Sequence, residues 1–251
     1  MSDESNSARR GGRAARRASR TNAAKHAPPV QNIVRQLPLT ELCSEEGLEI
    51  IEANAETVLH EIGIDFKGDE EILKLWRDAG ADVDGERVRF PKGLLRSLLK
   101  TAPETYVQHA RNPLRNVTFG GNNVIFAPVY GPPFVHDLDA GRRYGKMVDF
   151  ENFVRLAYMA PDLHHSGGTV CEPVDIPINK RHLDMVYAHM KLSDKPFMGA
   201  VTATERAADT LEMCNILFGP SFVAEHTVCT SLINVNSPLA FDEVMLGALK
   251  T

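Results

Sequence analysis

The stretch NVNSPLAFDE (234–243) sets two amides, Asn234 and Asn236, two residues apart behind a strand-like run from Thr227 to Ile233. In extended chain such residues face the same way. The pair is suited to orienting a carboxylate, a carbonyl or a cofactor edge. Ser237-Pro238-Leu239 makes a fixed turn into a helix from about Phe241. A capped strand–helix loop is the plainer reading, and the two are compatible. GGTVCEP (167–173) ends another strand-like run. Glu172 there is a candidate for holding a cation or acting as a base. Cys171 reads as a nucleophile, a ligand or a buried structural thiol, with no histidine predictably paired to it. Tyr130, Phe134 and Tyr144 could form an aromatic wall, because ring faces attract quaternary ammonium groups by ~0.5–2 kcal/mol each. Packing of their own loop is the alternative. The candidate substrate-binding residues are therefore Tyr130, Phe134, Glu172, Asn234 and Asn236, and no catalytic residue is assigned.

The histidines do not make a metal site. His164 and His165 are neighbours in a strand-like run and would point to opposite faces. They also precede that strand, at the end away from barrel chemistry. His182 and His189 lie two helical turns apart and are expected at the surface. The four cysteines contain no C-x-x-C pair and suggest no disulfide framework, which favours a reducing cytoplasm. Formal net charge is −5, but residues 1–26 carry +5 and the remainder −10. An acidic body argues against specific nucleic-acid binding and suits a cationic small molecule. No apolar run approaches the ~20 residues of a membrane span.

The elements that must position these groups fall into three parts. Residues 1–32 read as a disordered basic arm. Residues 33–120 read as an α+β layer. It holds a helix capped by Ser44, with Leu48, Ile51, Ala55, Val58, Leu59 and Ile62 on one face. A helix over 70–79, a hairpin turning at Asp84-Gly85, and a helix begun by Pro91 follow. Two strands then flank Asn112-Pro113. Residues 121–251 alternate strand and helix, which implies parallel strands with helical crossovers. NVIFAPVY is an apolar run expected as a doubly buried strand. Helices are expected over 149–159, 179–191 and 204–218. Thr204 is the expected cap of the last, and Gly219-Pro220 its stop. Neither G-x-G-x-x-G nor a Walker loop is present. Polar groups at carboxyl strand ends suit a (β/α)₈ barrel better than a doubly wound sheet. About four strand–helix units predict the first half of a TIM barrel behind the α+β layer, so the chain is expected to be incomplete.

Four stretches, in order, carry a resemblance: EIGIDFKGDEEILKLWRDAGADVDGERVRFP, APETYVQHARNP, DLDAGRRYGKMVDFENFVRLA and NVNSPLAFDEVMLGAL. Together they span about residues 38–250, and the series resembles the trimethylamine methyltransferase (MttB-like) family of corrinoid-dependent methyltransferases. The resemblance implies a TIM-barrel enzyme that moves a methyl group from a tertiary or quaternary methylated amine to the cobalt of a separate corrinoid protein. It implies the cognate corrinoid protein as partner, no tightly bound corrinoid on this chain, and a homo-oligomer at full length. Pyrrolysine and non-pyrrolysine branches, the latter including glycine betaine enzymes, remain open. Such chemistry needs positioning of the cation more than acid–base help. The competing readings are an unrelated TIM-barrel lyase or hydrolase, for which Lys195 is poorly placed, and a non-catalytic half-barrel or binding module.

Overall fold

The computed structural model describes residues 32–251. The basic arm expected over residues 1–32 lies, up to residue 31, outside the described residues. Strand β1 (Ile33–Val34) precedes helix α1 (Glu45–Glu61), whose first turn is capped where the Gly47 amide donates to Ser44 Oγ at 3.2 Å. The apolar face expected on α1 is largely uncovered. Leu48, Ile51 and Ile62 are exposed, and Leu59 is the residue of that face that meets the core beneath. That core forms around β2 (Ile64–Phe66), α2 (Glu70–Asp78), β3 (Asp82–Asp84) and β4 (Arg87–Arg89). Asp69 caps α2 through the Ile72 amide at 3.1 Å, and the helix buries Ile72 and Leu73 against Phe66, Val88 and Phe90. Trp76 meets Phe90 edge-on at 4.9 Å. The expected hairpin β3–β4 forms, but it turns at Gly85-Glu86, one residue beyond the expected Asp84-Gly85, because Asp84 still pairs with Arg87. The next helix, α3 (Leu94–Leu99), starts after Gly93 rather than at Pro91, because Gly93 takes φ +84° and resets the chain direction.

Strands β5 (Thr105–Gln108) and β6 (Val117–Gly120) pair antiparallel around Asn112-Pro113. NVIFAPVY does not form the expected buried strand. Only β7 (Asn123–Val124) pairs, with β1, and Phe126 and Val129 are exposed. Pro128 has no amide to give a ladder, and the Phe126 amide donates instead to His164 Nδ1 at 3.0 Å. The hairpin β8 (Phe134–Asp137) to β9 (Gly141–Tyr144) turns at residues 138–140, where Asp137 Oδ1 accepts from the Ala140 amide at 2.6 Å.

Helices α4 (Met147–Met159), α5 (Ile178–Leu192) and α6 (Thr204–Phe218) alternate with segments joined in sequence order. The His164 amide donates to Phe126 O at 2.9 Å, the Ser166 amide to Pro196 O at 2.8 Å, and the Met198 amide to Gly167 O at 2.9 Å. Strand β10 (Phe197–Met198) then runs parallel to β11 (Cys229–Thr230). LHHSGGTVCEP is thus hydrogen-bonded into the row without being a regular strand, since Gly167 sits at φ +87°. Thr204 is the first residue of α6 rather than its cap, which is Ala203. Gly219-Pro220 does more than stop that helix: Pro220 opens α7 (Pro220–Glu225), as a first-turn proline suits. Before α8 (Glu243–Lys250), residues expected to begin that helix form β12 (Ala240–Phe241), which pairs parallel with β2 and completes the order β12-β2-β4-β3. Among the described residues, no helix is long and apolar enough to cross a membrane.

Candidate functional site

Tyr130 stands where the loop before β8 crosses the Gly167-Gly168 turn. Gly131 N donates to Thr169 O at 2.6 Å, and Glu172 N donates to Pro132 O at 2.9 Å. The Gly131-Pro132-Pro133 turn is thereby laid along the 167–172 segment. Glycine at 168 is what lets the ring approach. A Cβ there would lie 2.7 Å from Tyr130 Cε2 and 2.9 Å from Met198 Cβ. Tyr130, Gly168 and Met198 therefore share one end of the hydrogen-bonded row, with Tyr130 as a residue 43% exposed. The loop carrying Asn234 and Asn236 leaves the carboxyl end of β11, beside Met198 in register with Thr230.

Beneath this end lies a buried polar network. Gln108, fully buried, donates from Nε2 to Phe197 O at 2.8 Å, and its Oε1 lies 3.2 Å from His165 Nε2. The Gly167 amide donates to His165 Nδ1 at 2.9 Å, so the ring proton is on Nε2 and points at Gln108. Burial, helped by the nearby His189, lowers the His165 pKa to about 3. His189 Nε2 donates to Gly168 O at 2.7 Å, which leaves Nδ1 to accept from Ser166 Oγ at 2.7 Å. Burial lowers its pKa to about 4, against the opposing pull of that carbonyl. Both rings are neutral and fix the backbone of the turn that Tyr130 covers.

His182 and His189, expected at the surface, are both buried, at 4% and 2% exposure. Helix α5 faces inward with these residues, and His182 Nε2 meets Asp209 Oδ2 at 2.7 Å. The surface was expected because helices lie on the outside of a barrel; His189 is instead turned inward with both ring nitrogens hydrogen-bonded, and His182 is held there through Nε2. Lys195 is buried as well. Its ammonium donates to the carbonyls of Ala157 at 2.7 Å, Ala160 at 3.0 Å and Leu163 at 2.6 Å, closing the end of α4. Burial pulls its pKa down to about 8, but all three donors are spent, so it is not placed as a lyase nucleophile.

The other sequence-selected residues are dispersed. Phe134 stacks on Tyr144 at 4.6 Å across the hairpin, and Arg142 covers it at 3.8 Å. Its face is therefore engaged by its own strand partner. Glu172 is ion-paired with Arg181. Cys171 is fully buried, and burial together with the carboxylates of Asp149, Glu172 and Asp175 pushes its thiol up to about 11. It is a structural thiol. Asn234 and Asn236 are exposed. Asn236 organises the turn: its backbone amide donates to Ala240 O at 2.6 Å, its carbonyl accepts from the Ala240 amide at 3.0 Å, and its Nδ2 donates to Asp242 Oδ2 at 2.6 Å. Asp242 in turn caps α8 through the Met245 amide at 2.8 Å. Arg143, not singled out from sequence, clamps Asp149 with two bonds of 2.6 and 2.8 Å and so ties the hairpin to the start of α4. The Asp149 pKa is held low by that guanidinium.

A model of the trimethylamine methyltransferase (MTTB) family matches residues 9–251. The chain belongs to this family. It is 45% identical over 214 residues to a glycine betaine methyltransferase of Desulfitobacterium hafniense (strain Y51), covering 85% of this chain and 44% of that protein. A proline betaine:corrinoid methyltransferase of Eubacterium limosum is 28% identical over 167 residues, 63% of this chain and 33% of its own length. The trimethylamine methyltransferase MttB of D. hafniense (strain DSM 10664 / DCB-2) is 32% identical over 85 residues, 33% of this chain and 17% of its own. The MTTB-family chain thus spans less than half the length of the curated relatives it matches.

Proposed function

We propose that the protein moves a methyl group from a quaternary methylated amine of the glycine betaine type to the cobalt of a partner corrinoid protein. In this reading residues 121–251 form part of a (β/α)₈ barrel, and Tyr130 contributes to the cation site at its mouth. The observation that carries the proposal is the 45% identity to a glycine betaine methyltransferase across 85% of this chain. The sequence-ordered hydrogen-bonded row with helices α4, α5 and α6 between its members supports the barrel reading.

The residues do not suit a corrinoid held by this chain through its buried imidazoles. His165 and His189 spend both ring nitrogens on neighbours within the fold, leaving neither to ligate cobalt. In this reading the corrinoid is a methyl-accepting substrate that arrives on its own protein. The C–N bond breaks with its electron pair remaining on nitrogen, and the amine leaves neutral. No general acid is needed, so positioning of the cation is the main demand on the protein. An exposed Tyr130 face, fixed over Gly168, offers cation–π attraction for that purpose.

The test is methyl transfer by the full-length protein to a Co(I) corrinoid protein, followed by the visible spectrum of the corrinoid. Glycine betaine is expected to react faster than proline betaine or trimethylamine. Tyr130→Ala is expected to lower kcat/KM by about tenfold, and Tyr130→Phe to stay near wild type, because the ring quadrupole survives. No methylation with any of the three amines overturns the reading.

A further inference from the structure

We infer that Cys214 and Cys229 form a peroxide-responsive dithiol, which closes to an intramolecular disulfide tying α6 to β11. The two thiols come from different elements and meet at one spot. Cys214 is buried on α6 among Val186, Met190, Phe197 and Val228, and Cys229 packs against the same cluster from β11. The Cys229 thiol, which lies 3.5 Å from Thr230 O, packs beside Cys214 in that cluster and is within hydrogen-bonding reach of its sulfur. Gly199 makes the approach possible, since a Cβ there would lie 3.0 Å from Cys229 Sγ and 2.6 Å from Thr210 Cγ2. The Gly199 amide donates to Thr230 O at 2.9 Å beside that sulfur, and Ser231 lines the same cavity. Both cysteines line a cavity of about 470 Å³, with Thr210, Val223, His226 and Ser231 on its wall. That space admits a small oxidant to a pair otherwise enclosed by apolar side chains.

The hydrogen bond divides the roles. The bond from Cys229 holds the Cys214 thiol below its ordinary pKa, while donating that proton raises Cys229 well above its own. Cys214 is therefore the attacking sulfur. Its thiolate attacks peroxide, the O–O bond breaks, and Cys214 becomes a sulfenic acid as hydroxide leaves. The Cys229 proton converts that hydroxide to water. The Cys229 thiolate then attacks the sulfenic sulfur, the S–O bond breaks, and the departing hydroxide takes up the proton that Cys214 first lost. Two thiols and one peroxide yield one disulfide and two waters. The other thiols lack this arrangement: Cys171 is buried with its pKa pushed up to about 11, and Cys43 is exposed on the surface.

The experiment treats the full chain with hydrogen peroxide, blocks residual thiols with an alkylating agent, and maps the peptides by mass spectrometry. The expected result is a cross-linked peptide joining Cys214 to Cys229, two hydrogens lighter than the separate peptides and released by dithiothreitol. Cys171 should remain alkylatable after denaturation. C214S should abolish the cross-link, with Cys43 oxidation unaffected. Recovery of both Cys214 and Cys229 as free thiols while Cys43 is oxidised overturns the proposal. So does sulfinic acid at either position without a cross-link. The wild-type map alone decides the matter if the variants fail to fold.

Discussion

The sheet built on β2 and the row from Phe126 to Thr230 each cover a buried interior, and the two interiors are held by opposite means. The first encloses Phe66, Leu73, Val88, Phe90 and Leu246, with Trp76 and Phe241 against them. Its order comes from apolar area and ring geometry, which constrain volume and little else. The second encloses Gln108, His165, Ser166, His189 and Lys195, whose described hydrogen bonds reach one another or named carbonyls. Here direction matters as much as volume, because a buried group without its partner keeps the full loss of its hydration. The turn that carries Gly168 beneath the Tyr130 ring is thus built on directional contacts. The layer beside it is built on contacts that allow adjustment.

The sharpest way to break this contrast is His189→Leu. It keeps bulk but orphans Ser166 Oγ and Gly168 O, and about 4 kcal/mol of stability should be lost, read as a shift of the urea midpoint at pH 7. Lys195→Met comes next. Three carbonyls at the end of α4 lose their donor, and about 3 kcal/mol should go, with α4 amides exchanging hydrogen faster.

Acid separates the two regions without a mutation. His165 and His189 have native pKa values lowered from 6.5 to about 3 and about 4. Their neutral forms are the native ones, so the stability they contribute is complete above pH 6.5 and is lost as pH falls towards those native values. Each removes roughly 1.4 kcal/mol per pH unit in that window, so about 2.5 kcal/mol should be gone at pH 5.5. In His189→Leu that pH slope should fall to about half. The smallest effect belongs to the apolar layer. Leu73→Met should cost less than about 1.5 kcal/mol and leave the pH profile unchanged. A larger loss there would mean that the two regions do not differ as described.

What could be read from the residues follows the same division. Ser44 and the β3–β4 hairpin act on neighbours a few positions away, and their effects were predictable to within a residue. The family resemblance was legible too, and DLDAGRRYGKMVDFENFVRLA has a structural content: Asp137 makes the turn, and Arg143 clamps Asp149. The buried histidines were missed because their partners are distant. Gln108 reaches His165 across 57 positions, and His189 reaches Ser166 across 23. The α1 face was over-read because periodicity shows an apolar stripe but not what covers it. Tyr130 was singled out for its ring alone, while the signal for its placement lay in Gly168, whose missing side chain makes room for it.

The pairing of β12 with β2 sets a schedule for the chain as it is made. Asp65 and Lys67 donate their amides to Leu239 and Phe241, each at 3.0 Å, and Lys250 reaches back to Asp69 at 2.7 Å. During synthesis the ribosome must add all the residues between these partners before the sheet can gain its fourth strand. At ~5–20 residues per second that is on the order of ten seconds or more with one edge of β2 unpaired. For that interval the nascent layer offers a free strand edge beside Phe66, a natural point for a chaperone to bind or for two nascent chains to join.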